Sequence, residues 1–122
     1  MRCLLFALLL LECLFFSSSS GYDGRCNLED RAIYYSRGSE FQEILRSLVG
    51  WVPPSKETYS KRIQVHVGLS APCAMCYGEM YACGYAHCKW ACKWHGTACD
   101  VCLEEHDCSP RLRACTGLPT EY

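Results

Sequence analysis

The chain has a single asparagine, Asn27, and Leu28-Glu29 follow it, so it contains no N-glycosylation sequon. It has no excess of either charge: 12 Lys and Arg stand against 13 Asp and Glu in 122 residues. The basic residues form no run, so the clustered cationic face that nucleic-acid binding requires is missing. There is no glycine-rich phosphate loop, and no set of nucleophile, base and orienting group can be assembled. The expectation is a protein that is not an enzyme and needs no cofactor. Beyond Phe16 no apolar run approaches the about 20 residues that a membrane-spanning helix needs.

Cysteine is abundant. Twelve cysteines in 122 residues are the composition of a disulfide scaffold. What they do depends on the compartment, so the N-terminus decides. "MRCLLFALLLLECLFFSSSSG" has a basic Arg2, an apolar stretch from Cys3 to Phe16 and small residues at Ser17 to Gly21. That layout reads as a signal peptide over residues 1–21, although Glu12 is an unusual charge within the apolar stretch. A membrane anchor is the competing reading, and the run is short for it. Cleavage would remove Cys3 and Cys13 and leave ten cysteines: Cys26, Cys73, Cys76, Cys83, Cys88, Cys92, Cys99, Cys102, Cys108 and Cys115. An even number in a small secreted chain points to a disulfide framework.

The chain then divides into residues 22–62, an N-terminal segment and candidate pro-segment, and residues 63–122, a cysteine-rich helical hairpin. Residues 22–38 show no firm periodicity. Phe41, Ile44, Leu45 and Leu48 recur at helical spacing and predict a helix over 39–49, with Ser39 and Gln42 as a capping box and Gly50 past its end. Pro53-Pro54 stop it. Ile63, Val65 and Val67 alternate with Gln64 and His66, which is strand-like, so one short strand is the most the pattern allows. Lys61-Arg62 just before it is a candidate processing site in an apparent linker, and two solvated charges is the plainer reading.

Nine cysteines lie between Cys73 and Cys115. Gly96 marks a turn, and Thr97 with Asp100 suits a helix start. Two arms follow, over 73–94 and 98–107. In an antiparallel hairpin, facing positions share a constant sum. Cys92 with Cys99, Cys88 with Cys102, Cys83 with Cys108 and Cys76 with Cys115 meet that condition to within one residue. Cys26 and Cys73 remain to pair. Eight cysteines allow about 105 pairings, so symmetry alone makes this choice. Lys93 with Asp100 and Lys89 with Glu104 fall beside the rungs as candidate ion pairs, and His87 faces His106 as a candidate weak metal or pH-sensitive pair.

Helical phase complicates a straight hairpin. At about 100° per residue, Cys88 and Cys92 share one face of the first arm, while Cys76 and Cys83 share a different one. Both arms therefore need a break, and Gly84 and Asp107–Pro110 offer it. Ser109-Pro110 then reads as a fresh helix start, ending at Gly117.

"CAMC" (Cys73, Cys76) and "CDVC" (Cys99, Cys102) also resemble zinc-ribbon ligand pairs, with His87, His95 and His106 nearby. The leader and the remaining cysteines favour cystines over zinc. In layout, residues 61–115 are similar to small cystine-stabilised helical hairpins among toxins, antimicrobial peptides and protease inhibitors, and to toxin and neuropeptide precursors. The six-cysteine spacing of saposins is not matched, and no functional residue carries over.

The expected class is a small disulfide-rich, mainly α protein, secreted and monomeric. It would act as a hormone-like or toxin-like ligand on an extracellular or cell-surface protein, with Tyr77, Tyr81, Trp90 and Trp94 as candidate contact residues. A host-defence hairpin acting on anionic membranes is the alternative. Residues 63–122 count against it, holding four Lys and Arg to six Asp and Glu. A zinc-binding module is the third reading.

Overall fold

The structure, a computed structural model, describes residues 24–94 and 96–119. The leader read at 1–21 lies outside them. Six helices form among the described residues: α1 Leu28–Arg37, α2 Glu40–Ser47, α3 Lys56–Val67, α4 Ala71–Cys88, α5 Thr97–Glu105 and α6 Cys108–Thr116. No strand forms among them. The protein is thus a small disulfide-rich helical fold.

The centre is α4. Ser70 precedes it in an extended conformation, and Pro72 sits in its first turn, where the missing N–H is not needed. It buries Cys73, Ala74, Cys76, Tyr77, Met80 and Cys88, which point to several sides of the helix. A helix that is apolar all round must be surrounded, and α3, α5 and α6 pack against it.

Residues 63–67 are helical, which corrects the strand reading. Ser55 caps α3 by accepting from the Thr58 N–H at 3.1 Å, and Gly68 closes it in the left-handed conformation. Tyr59, Ile63 and Val67 then form the buried stripe, while Val65 is exposed. Two of the alternating positions lie four apart, so the five-residue pattern fitted either period. Lys61-Arg62 accordingly lies inside α3 and not in a linker. Arg62 Nη1 donates to the Leu48 and Val49 carbonyls at 3.0 and 2.9 Å, and the Tyr59 hydroxyl donates to the Leu45 carbonyl at 2.7 Å. The Arg62 bonds satisfy carbonyls just past the end of α2, and Tyr59 adds a second donor to the Leu45 carbonyl, which also accepts from the Leu48 N–H.

The N-terminal segment is more ordered than its periodicity suggests. Asn27 and Asp30 make the capping box that was expected of Ser39 and Gln42: Asp30 N–H donates to Asn27 Oδ1, and Asn27 N–H donates to Asp30 Oδ2, both at 2.9 Å. Ser39 has helical dihedrals and makes no side-chain capping bond. Helix α1 is then tied to the other end of the chain, with Arg31 Nη2 donating to the Gly117 carbonyl and Tyr34 donating to the Pro119 carbonyl.

The second arm breaks as expected, between α5 and α6, where Asp107 takes a left-handed conformation at φ 62°. The first arm does not break. Helix α4 runs through Gly84 without interruption and ends at Cys88, after which 89–94 form turns. The phase conflict is resolved by the second arm alone: α5 lies on one side of α4 and α6 on another, so each meets the cysteines that face it. Thr97 is the first helical residue of α5 and not its cap, a position Gly96 occupies.

Candidate functional site

The cystines of the structure are Cys26–Cys73, Cys76–Cys115, Cys83–Cys108, Cys88–Cys102 and Cys92–Cys99. They are the same five pairs that the hairpin symmetry and its remainder select. Four of them begin within α4, so one helix anchors the N-terminal segment, α5 and α6. Neither C-x-x-C pair keeps its two sulfurs together. Cys73 and Cys76 bond to different segments, as do Cys99 and Cys102. Cystine sulfurs are not the thiolates a zinc ribbon uses. Among the described residues Cys26, Asp30 and Cys73 cluster with metal-ligand spacing, but two of the three atoms are one disulfide.

The end of the hairpin is clamped twice, by Cys88–Cys102 and Cys92–Cys99. The turns at 89–94 carry Trp90, between the clamps, at 76% exposure and Trp94, in the loop that Cys92–Cys99 closes, at 82%. Cys92 N–H donates to the Cys88 carbonyl at 2.8 Å, and Lys93 N–H to the Trp90 carbonyl at 3.3 Å, so the backbone is held while the indoles face outward. The Lys89 ammonium lies 5.2 Å from the Tyr85 ring centroid and 5.4 Å from that of Trp90, and the Lys93 ammonium lies 5.4 Å from Trp94. These are cation–π distances.

That geometry corrects the charge ladder. Neither lysine bridges to an acid among the described residues; both turn to rings. Glu104 pairs with Arg113 through two bonds, of 2.8 and 3.1 Å, and this fork holds its carboxyl below the ordinary glutamate range.

The four aromatic contact candidates separate. Trp90 and Trp94 are surface residues. Tyr77 is not: it is buried, 5.6 Å edge-to-face from Phe41, because its position on α4 faces α2. Tyr81 is half-buried between Tyr59 at 5.0 Å and Tyr85 at 6.2 Å. Burial and the neighbouring Tyr85 push its hydroxyl pKa up. Tyr85, an aromatic of the same arm outside the four contact candidates, is exposed, and so are Trp51 and Val52, fully or largely, between α2 and α3. The "GWVPP" run itself signals this, since apolar residues between a helix stop and two prolines have no periodic face to join.

His87 and His106 do meet, stacked with centroids 4.8 Å apart and planes within 9°. In parallel rings the nitrogen lone pairs lie in separate planes and do not converge on one point. The observed arrangement is therefore a stacked pair, and a metal would require one ring to turn. No family model matches the chain, and no curated protein or solved structure matches it.

Proposed function

We propose that the chain is a secreted, non-enzymatic binding protein that presents Trp90 and Trp94 to an extracellular or cell-surface protein. One observation carries this reading: two indoles stand almost fully exposed on turns whose ends are both cross-linked. Leaving large apolar rings in water is unfavourable, and a small protein could bury or replace them. Tryptophan supplies more contact area than almost any side chain and is enriched among residues that dominate binding energy. Fixing it on a clamped turn removes much of the ordering entropy lost on binding. Five cystines are compatible with an oxidising, extracellular setting, and no helix among the described residues is long and apolar enough to cross a membrane.

The test is binding of the oxidised protein to a displayed panel of extracellular domains, compared with Trp90→Ala and Trp94→Ala. Truncating a binding tryptophan should weaken a captured interaction by about thirtyfold or more. Equal binding by both variants would overturn the role of the tip. The adjacent Lys89 and Lys93 favour one second reading, contact with anionic lipid, because tryptophan and lysine together suit a membrane interface. Leakage of anionic vesicles at low concentration, lost in the same variants, would select that reading instead.

A further inference from the structure

A trough of about 400 Å³ runs beside the tip, between the end of α2 and helices α4 and α5. Its α4 wall carries Met80, Tyr81, Gly84 and Tyr85, with Lys89 just past the helix end. The interior is apolar: Met80 and Leu103 face it, and Tyr81 and Tyr85 form a ring wall. Gly84 keeps the floor open, since even a Cβ there would come within 3.3 Å of the Leu103 methyl. Arg46 and Lys89 are the charged groups that line the trough, and no carboxylate does. Neither is in a salt bridge among the described residues. In a chain with slightly more acid than base, a trough carrying only cations has a defined preference.

We propose that this trough binds a single-chain amphiphile with a carboxylate head, a free fatty acid taken up as a monomer. The alkyl chain lies along α4 against Met80 and Leu103, and the head is drawn to Arg46 and Lys89. Size, lining and charge each select part of this ligand. A cavity of this volume suits a small molecule, an apolar lining suits an alkyl chain, and two cations with no carboxylate partner suit one anionic group. The site lies apart from Trp94, meets Trp90 only through Lys89, and does not rest on the protein-binding reading.

The test is calorimetric titration of the full oxidised protein with dodecanoate below its micelle concentration. The same titration is run with methyl dodecanoate, dodecyltrimethylammonium and acetate. One-to-one binding of dodecanoate is expected, with acetate and the cationic amphiphile silent and the ester weaker. The R46E/K89E double variant, checked for intact cystines, should weaken dodecanoate by about tenfold or more, because attraction becomes repulsion in a partly desolvated groove. W94A should leave it unchanged. Silence of dodecanoate, equal binding of the ester, or association only with anionic vesicles would each overturn the proposal.

Discussion

Asp30 shows how one side chain can join distant segments. It is buried at 1% exposure, and its carboxylate accepts from Ser70 N–H at 2.7 Å, Ser70 Oγ–H at 2.6 Å and Asn27 N–H at 2.9 Å. It therefore caps α1 from within and holds the residue that begins α4, beside the Cys26–Cys73 cystine. A hydrogen bond to a charged group contributes about 1.5–3 kcal/mol, and removing the acceptor strands buried donors. Asp30→Ala should destabilise the oxidised protein by about 2–4 kcal/mol in urea unfolding. Ser70→Ala should cost less, since its N–H bond to Asp30 remains. Equal losses would mean that the carboxylate is not the hub. Asn27-x-x-Asp30 reads as a box from the residues alone, but 28–37 lack the apolar period that marks a helix behind it. The reach to Ser70 was not readable, because nothing local encodes a contact across 40 positions.

Elements here are recognised by caps more securely than by alternation. Helix α2 shows in four apolar residues that repeat with one period, whereas the last five residues of α3 fit either period and need Ser55, Tyr59 and Gly68 to read as helix. What decides how α3 sits is Gly78. A Cβ at that position would lie 2.6 Å from the Lys56 carbonyl oxygen and 3.3 Å from Ser60 Cβ, so the start of α3 crosses α4 where α4 has no side chain. Gly78→Ala must push backbone from backbone. It should cost about 1–3 kcal/mol despite the better helix propensity of alanine. Gly84→Ala meets only the mobile end of Leu103 and gains the propensity of about 1 kcal/mol, so it should be near neutral. Thermal melting of the two variants side by side checks this, and similar losses would show that the close crossing does not govern the packing.

At the scale of the molecule, the cysteine spacing recorded the pairing but not the shape. A constant positional sum holds for any antiparallel return, straight or bent. The phase of Cys76 and Cys83 against Cys88 asks for a break in both arms, at Gly84 and at Asp107–Pro110, and only the second forms. Helix α4 runs whole with α3, α5 and α6 packed along it, although Glu79 and residues 85–87 stay exposed, whereas the second arm turns at Asp107 in a left-handed conformation. Tyr77 was misjudged for the same reason: in a thin hairpin it would be outside, but α2 and α3 thicken the fold around it.

The cystines should then contribute unequally. Cys92–Cys99 closes a separation of 7 residues inside the hairpin, and Cys26–Cys73 closes 47 outside it, with no other cystine restricting that loop. Loop-closure entropy gives about 2 kcal/mol for the first and about 4 for the second. Cys26 and Cys73 are also fully buried, so their loss leaves a void as well as a longer unfolded chain. C26A/C73A should therefore melt well below C92A/C99A, with C76A/C115A between them, because the inner rungs already restrict most of the loop it spans. In binding the order should reverse: C92A/C99A frees the turns that hold Trp90 and Trp94 and should weaken the tip, while C26A/C73A, at a temperature where it stays folded, should leave it intact. Melting and binding curves on the same three double variants test both orders at once. If C92A/C99A melts lowest, the stability of the fold lies in the tip and not in the N-terminal tether.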